Sequence, residues 1–362
     1  MRITVLSGGV GGARFTRGLL ALLRDRLPDG RGGSTAEVTV IANTGDDMWL
    51  HGVRVCPDLD TLMYTLGGAV HEDQGWGRRE ETSRVSTDLA AYGVGWDWFT
   101  LGDLDLATHL ARTQWLREGR TLSEATALLS RRWGLAEQGV RLLPMADEPV
   151  ETHVVVADPD GDPGSGAERT IHFEEWWVRH RAALPALRFV QVGLDSAQAA
   201  PGVLDAIAAA DVVVVPPSNP VVSVSTILAV PGVRAALAST SAPVVGVSPI
   251  VGGAPVRGMA AQCLATIGVD ATAEAVARFY GRRDDASRTG ADAGVLDAWL
   301  VDTVDAEAAE KLAADGWRSA AAPTLMTDVP ATARIAAEAL ALVGAMSGGA
   351  RGRPLAVGRR CP

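Results

Sequence analysis

Three acidic clusters and one glycine-rich turn are the parts of this sequence best suited to chemistry. The turn is Ser7-Gly8-Gly9-Val10-Gly11-Gly12, directly after a short apolar run. A turn joining a strand end to a helix start aims backbone N–H groups and the positive end of the helix dipole at one point. Phosphate binds there without any basic side chain. Glycine is required where a Cβ would block the turn or the approach of the phosphate. Neither standard pattern is met: Gly9 and Gly11 begin a GxGxxG, but Arg14 stands at the third glycine position. The only lysine, Lys311, cannot complete a GK[ST] ending. A tight structural turn is the plain alternative, yet at the first strand of an α/β chain phosphate binding is the expectation.

The acidic clusters fall where strands are expected to end. They are Asp46-Asp47, then Asp58 and Asp60 in Pro57-Asp58-Leu59-Asp60-Thr61, then Asp103 and Asp105 in Gly102-Asp103-Leu104-Asp105. Carboxylates beside a phosphate repel it unless a Mg²⁺ ion bridges the two. Singly, each aspartate has a bland alternative: Asp58 and Asp103 could cap helices, and Asp46 could hydrogen-bond its own turn. Together they favour a metal-assisted site.

Other residues could join it. Arg112 shares a helix face with His109 and Thr113, where it could clamp a phosphate or form a surface ion pair. Ser218-Asn219 lies between prolines after a buried strand, a rigid loop able to read a base or a phosphate, and Gly252-Gly253 could add backbone donors. Trp76, Trp96 and Trp98 could stack a flat heterocycle, with core packing the safer reading of each. His51 and His71 sit in polar loops and form no evident nucleophile–base pair.

The elements that must position these groups alternate. Ile3–Leu6 is followed by apolar residues at helical spacing from Ala13 to Leu23, then by the β-branched run Val38–Ala42. That is a βαβ unit with a parallel sheet. The pattern returns with a helix at Gly202–Ala210 and buried strands at Asp211–Val215 and Ala242–Val247. Helices are expected at Arg257–Gly268 and Ala273–Tyr280, a strand at Ala298–Val301, and a last helix at Ala331–Leu342. Trp98–Leu101 also has strand-like composition. Thr152–Ala157 and Ile171–Val178 suggest a hairpin around the polar turn Asp158–Gly166. The expected architecture is an α/β, Rossmann-like parallel sheet with helices on both faces. Residues 1–145 and 186–345 form the core, 146–185 a small inserted β-rich subdomain, and 346–362 a flexible tail.

The 362 residues suffice for one large domain or two ordinary ones. A net charge of −10, with no basic stripe, argues against a nucleic-acid partner. Cys56, Cys263 and Cys361 form neither a disulfide framework nor a CxxC pair, which suits a reducing compartment. The N-terminus lacks the apolar run of a signal peptide, and no segment is long and apolar enough to span a bilayer. A cytoplasmic location, with no membrane partner, is the expectation. The Ala-, Gly- and Arg-rich, lysine-poor composition is that of a GC-rich genome.

The motifs also come in a particular order. Ser-Gly-Gly-Val-Gly-Gly at 7–12, Asn-Thr-Gly-Asp-Asp at 43–47 and Pro-Asp-Leu-Asp-Thr at 57–61 are followed by Gly75-Trp76-Gly77 and Leu-Gly-Asp-Leu-Asp-Leu-Ala-Thr-His at 101–109. Leu143-Pro144-Met145, Pro-Ser-Asn-Pro at 217–220 and Ser-Pro-Ile-Val-Gly-Gly at 248–253 complete the set. From residue 1 to about 345 the chain resembles the 2-phospho-L-lactate transferase family (CofD/FbiA) of deazaflavin coenzyme F-420 biosynthesis.

The resemblance implies a Mg²⁺-dependent transfer to 7,8-didemethyl-8-hydroxy-5-deazariboflavin (FO). The donor it implies is a guanosine diphosphate adduct of lactate or, in actinobacterial members, of enolpyruvate; GMP leaves. In that chemistry Asp46, Asp58 and Asp60 would hold Mg²⁺ or orient the acceptor, one of them taking the hydroxyl proton. Gly8, Gly9, Gly11 and Gly12 would cradle the diphosphate, with Ser218 and Asn219 on the nucleotide and Gly252 nearby. Thr100 and Asp103 would lie on the acceptor side. Asp60→Asn would abolish turnover and leave the fold intact. Glu174-Glu175-Trp176-Trp177 departs from the Tyr- or Phe-containing stretch usual in the family. Two rivals remain: a non-catalytic nucleotide-sugar-binding regulator of the gluconeogenesis-factor type, and an NAD-dependent dehydrogenase with Asp46 on a ribose. A homodimer is compatible with such a fold.

Overall fold

In a computed structural model of the chain, residues 1–95, 98–158 and 166–346 are described. The strands in chain order are β1 (Arg2–Ser7), β2 (Glu37–Ala42), the hairpin β3 (Met48–Leu50) and β4 (Val53–Val55), and β5 (Val140–Pro144). Then come β6 (Glu151–Ala157), β7 (Glu168–His172), β8 (Ala186–Val192), β9 (Val212–Val215) and β10 (Val244–Val247). A two-residue pair, β11 (Ile250–Val251) and β12 (Ala254–Pro255), precedes β13 (Ala298–Val301) and β14 (Arg318–Ala321).

Seven strands form one parallel sheet in the order β14-β13-β10-β9-β1-β2-β5. Its central strand, β9, is apolar without interruption because both faces are covered, as parallel sheets require. The alternation of side chains splits them between two cores. Val212 and Val214 face one layer with Ile3 and Val5, whereas Val213 and Val215 face the other with Leu6. The first layer holds α1 (Gly9–Arg26), α2 (Pro57–Leu66) and the last helix, Val329–Leu342.

From β1 the chain builds outward through β2 to β5; from β9 it builds the other way through β10, β13 and β14. The order therefore reverses between β1 and β9. In open α/β sheets such a reversal leaves a crevice beyond the carboxyl ends of the two strands, where ligands bind. The glycine turn follows β1 and the Pro216–Asn219 loop follows β9, so both lie at that crevice.

The inserted segment differs from its expected form in two ways. The hairpin pairs β6 with β7, Val154 opposite Ile171, but β7 stops at His172 and the chain then turns helically through Glu175–Arg179. Phe173 and Trp176, three residues apart, thereby reach the same side and enter the core, which an extended run to Val178 would not allow. A third strand, β8, pairs with β6, so the small sheet continues past residue 185 to Val192. Val154, Val156, Ile171, Phe173 and Trp176 join one core of the main sheet and do not form one of their own.

Three further elements complete the frame: α3 (Arg84–Ala91), α4 (Asp103–Arg117) and α5 (Leu122–Arg132). Trp98–Leu101, expected as a strand, is an irregular approach to α4 and pairs with no strand. The helix expected at Arg257–Gly268 is shorter, Ala260–Thr266, and β14 adds an unanticipated edge. Trp96 and the tail from residue 347 lie outside the described residues. Among those described, no single helix is long and apolar enough to cross a membrane.

Candidate active site

β1 ends at Ser7, and Gly8 precedes α1 in extended conformation with no side chain capping the helix. Ser218 fixes this turn from the next strand. Its hydroxyl donates to the Gly8 carbonyl at 2.7 Å and accepts from the Gly8 amide at 3.1 Å. A Cβ on Gly8 would fall 2.5 Å from Ser223 Cβ and 2.8 Å from an Asp58 carboxylate oxygen. One on Gly11 would strike the Pro217 carbonyl, and one on Gly12 the Ser7 and Ser218 hydroxyls. These three glycines therefore let two loops close on the helix. Gly9 differs: its φ is +62°, and a Cβ there would have only Asp58 Oδ1 nearby, at 3.7 Å. Gly9 is the member of the set with room in front of it.

Asn219, expected on the nucleotide, turns its side chain to the helical turn Pro220–Val224. Its Oδ1 accepts from the amides of Val221 (3.0 Å) and Val222 (3.3 Å), and its Nδ2 faces Cys263 Sγ at 3.6 Å. It caps a helix.

Beside the turn lies a group of buried carboxylates. Asn43, just after β2, is its bracket. Its Oδ1 accepts from the Gly45 amide at 2.9 Å, while its Nδ2 donates to Asp58 Oδ2 at 2.9 Å and Asp46 Oδ2 at 3.3 Å. Asp58, in the first turn of α2, also accepts from the Gly9 backbone. Glu174, from the inserted segment, completes the set. Asp46, Asp58 and Glu174 are 7%, 6% and 8% exposed, and Asp46 Oδ1 is buried with no hydrogen-bond partner. Burial raises all three pKa values. Repulsion by Asp58 and Glu174 pushes Asp46 further, repulsion by Asp58 does the same to Glu174, and the Asn43 and Gly9 hydrogen bonds pull Asp58 back.

Asp60 is not among them. Residues two apart on a helix point about 200° apart, so Asp58 and Asp60 leave α2 on opposite sides. Asp60 takes both terminal nitrogens of Arg112, with Nη1 to Oδ2 at 3.1 Å, and the arginine is 1% exposed. Neither a surface ion pair nor an open phosphate clamp describes Arg112. Its Nη1 also faces the Arg54 carbonyl at 3.2 Å and His109 Nδ1 at 3.3 Å. His109 Nδ1 also lies 3.5 Å from Asp60 Oδ2, so the imidazole belongs to the same buried group. Burial brings the His109 pKa down to about 4, against the pull of Asp60. Asp47 likewise turns from its neighbour Asp46: it faces Arg54 at 3.7 Å, and burial raises its pKa to about 7.

The remaining expected residues stand apart. Asp103, at the start of α4, accepts from Thr82 Oγ1 (2.6 Å), Arg84 Nε (3.0 Å) and the Val85 amide (3.0 Å), bonds that hold its pKa at about 2. It ties α4 to the start of α3. Thr100 is exposed just before α4. Gly252 and Gly253, with φ of +60° and +79°, form the tight turn between β11 and β12, and the Gly252 amide donates to Asp305 at 3.0 Å.

Two residues of this cluster, the bracketing amide and one carboxylate, were not singled out from sequence. Asn43 opens the Asn-Thr-Gly-Asp-Asp motif and could have been noticed there. Glu174 carried no signal beyond the departure at 174–177.

Among the described residues no three His, Cys, Asp or Glu side chains form a ready metal cage. Mg²⁺ does not demand one: it is commonly held by one or two carboxylates plus substrate phosphates and water. Asp46 and Asp58 are hard oxygen donors, and the unpartnered Asp46 Oδ1 is a buried acceptor such an ion would satisfy. The arrangement places hard carboxylates next to the N-terminus of α1, one able to take a proton and a pair able to hold a cation that would counter phosphate charge.

Known proteins resemble this chain in sequence and in fold. The family model described as 2-phospho-L-lactate transferase CofD matches residues 3–338. A phosphoenolpyruvate transferase of Streptomyces griseus is 56% identical over 342 residues, covering 94% of this chain and 98% of that protein. One of Mycolicibacterium smegmatis is 53% identical over 345 residues, covering 95% and 99%. Among solved structures, a member of the UPF0052 family from Bacillus halodurans superposes with a TM-score of 0.54 at 17% identity, covering 94% of this chain and 98% of that one. That likeness speaks to the fold alone.

Proposed function

The chain belongs to the 2-phospho-L-lactate transferase CofD family, and from that premise we propose that it transfers a phosphoenolpyruvyl group from a guanosine diphosphate adduct to the ribityl hydroxyl of FO, releasing GMP in F-420 biosynthesis. Relatives named phosphoenolpyruvate transferase support enolpyruvate over lactate as the three-carbon acid. The observation that carries the reading is the Asp46–Asn43–Asp58 group bonded to Gly9 at the start of α1.

The donor diphosphate would lie in front of Gly9, within reach of the first amides of α1 and the positive end of its dipole. The terminal hydroxyl oxygen of FO forms a new bond to the phosphorus that carries the three-carbon acid. The bridging P–O bond breaks, and GMP departs with that oxygen. The hydroxyl proton passes to one of the buried carboxylates of this group. A Mg²⁺ ion held by Asp46 and Asp58, when bound, would neutralise charge on the diphosphate. Asn43 keeps the two carboxylates in place, and Ser218 keeps Gly8 from drifting toward them. Catalysis here is positioning and charge neutralisation, as phosphoryl-type transfer requires.

The test is incubation with FO, the guanylylated enolpyruvate adduct and Mg²⁺, following GMP and the charged deazaflavin product. Metal-dependent release of both is expected. Tight nucleotide binding with no GMP from a competent donor would replace this reading with that of a regulator. An absorbance change dependent on NAD would replace it with a dehydrogenase.

A further inference from the structure

Arg14 stands where the dinucleotide-binding fingerprint has its third glycine, and the transfer chemistry gives it no task. From the first turns of α1 its Nη2 donates to the Glu72 carbonyl at 3.0 Å, in the loop His71–Gly77. Arg257, following β12, donates to the Gln74 carbonyl two residues further along the same loop. Two guanidiniums from distant parts of the chain thus converge on one short segment. The Glu72 carboxylate is bonded by Arg17, through contacts of 2.7 and 3.1 Å, and reaches Arg14 only through the longer-range attraction of their charges. Among the described residues neither Arg14 nor Arg257 has an ion-pair partner; each is held by a neutral carbonyl. Partial burial, then the nearby Arg14 charge, lowers the pKa of Arg257. Like charges kept together without a direct ion-pair partner suit an incoming anion.

The loop they hold carries Trp76, which is 49% exposed. The Arg257 guanidinium lies 5.1 Å from the centre of its ring, covering one face. Gly75, at φ +78°, brings the loop against α1 so closely that a Cβ would fall 2.6 Å from Val10 Cγ1. The exposed indole and both arginines therefore flank the first turn of α1, beside Gly9.

We propose that Arg14, Arg257 and Trp76 form the outer wall of a nucleoside diphosphate site, the arginines gripping phosphate oxygens and the indole stacking on the base. The inference rests on the guanosine diphosphate donor proposed above. Guanidinium forks match phosphate oxygens in geometry as well as charge, and an aromatic face accepts a base by stacking. On binding, each arginine would exchange a carbonyl for a charged oxygen, the stronger acceptor.

Calorimetric titration of the full chain with GDP, and separately with pyrophosphate, tests this without any turnover. Arg14→Gln and Arg257→Gln are each expected to weaken GDP at least tenfold and to reduce its salt dependence. Arg14→Lys and Arg257→Lys, which keep the charge and lose the fork, should fall between. Trp76→Ala should weaken GDP at least fivefold and leave pyrophosphate within twofold of the unaltered protein. Melting curves confirm that each variant is folded. Folded glutamine variants that bind GDP within twofold of the unaltered protein would overturn the wall, as would equal losses for GDP and pyrophosphate in Trp76→Ala. An unaltered protein that fails to bind GDP at millimolar concentration would instead remove the donor reading, and the wall with it.

Discussion

Arg112 Nη1 sits 3.1 Å from Asp60 Oδ2 in a pair enclosed on all sides, joining α2 to α4. The pair is structural in its surroundings: His109, the Arg54 carbonyl and the Asp60 carboxylate surround the terminal nitrogens of one guanidinium. Asp60→Asn would leave a buried cation without its counter-charge, and breaking one partner of such a pair costs about 3–5 kcal/mol. The expected outcome is a folding defect, read as a lower urea midpoint at unchanged slope, with lost activity following the lost folded fraction. A variant of normal stability and no turnover would return Asp60 to the catalytic group.

The glycines of the turn divide by the space before them. Gly11→Ala places a methyl on the Pro217 carbonyl, a backbone atom that cannot swing away. Overpacking of this kind costs about 1–3 kcal/mol. Gly9→Ala meets no such atom and bears only its left-handed backbone, about 1–2 kcal/mol, but its methyl would project toward the approach of the diphosphate. Melting temperature and GDP affinity together separate the two. Gly9→Ala should lose affinity by more than its stability loss suggests, and Gly11→Ala should lose stability first. Equal affinity in folded Gly9→Ala and the unaltered protein would move the phosphates elsewhere.

Much of this was legible because it depends on local patterns. The uninterrupted valines of β9 and the glycine turn after β1 announce a buried parallel sheet and its first crossover. What distance along the chain conceals is different in kind. Glu174 reaches Asp46 and Asp58 only because Trp176 draws a helical turn into the core, its Nε1 donating to the Leu184 carbonyl at 2.7 Å. No periodicity in residues 171–178 encodes that tertiary override. Trp98–Leu101 has the composition of a strand but pairs with none, and composition alone cannot supply a partner. The separation of Asp58 from Asp60, by contrast, was available from helical geometry once Pro57 was seen to open a helix.

Glu174 makes the carboxylate group sensitive to pH in a definite direction. Its pKa rises from 4.5 to about 8, chiefly through burial and then through repulsion by Asp58. The folded state therefore holds a proton that the unfolded state has released across that window. Linkage then requires stability to fall as pH rises from about 4.5 to about 8. Glu174→Gln keeps the shape without titrating and relieves the repulsion felt by Asp46. Without metal, the variant should melt close to the unaltered protein near the lower end of the window and several degrees above it at the upper end. Adding Mg²⁺ at the upper end should stabilise the unaltered protein more than the variant, because the ion gains most where three charges repel. A melting difference independent of pH would mean that Glu174 does not share the field of Asp46 and Asp58.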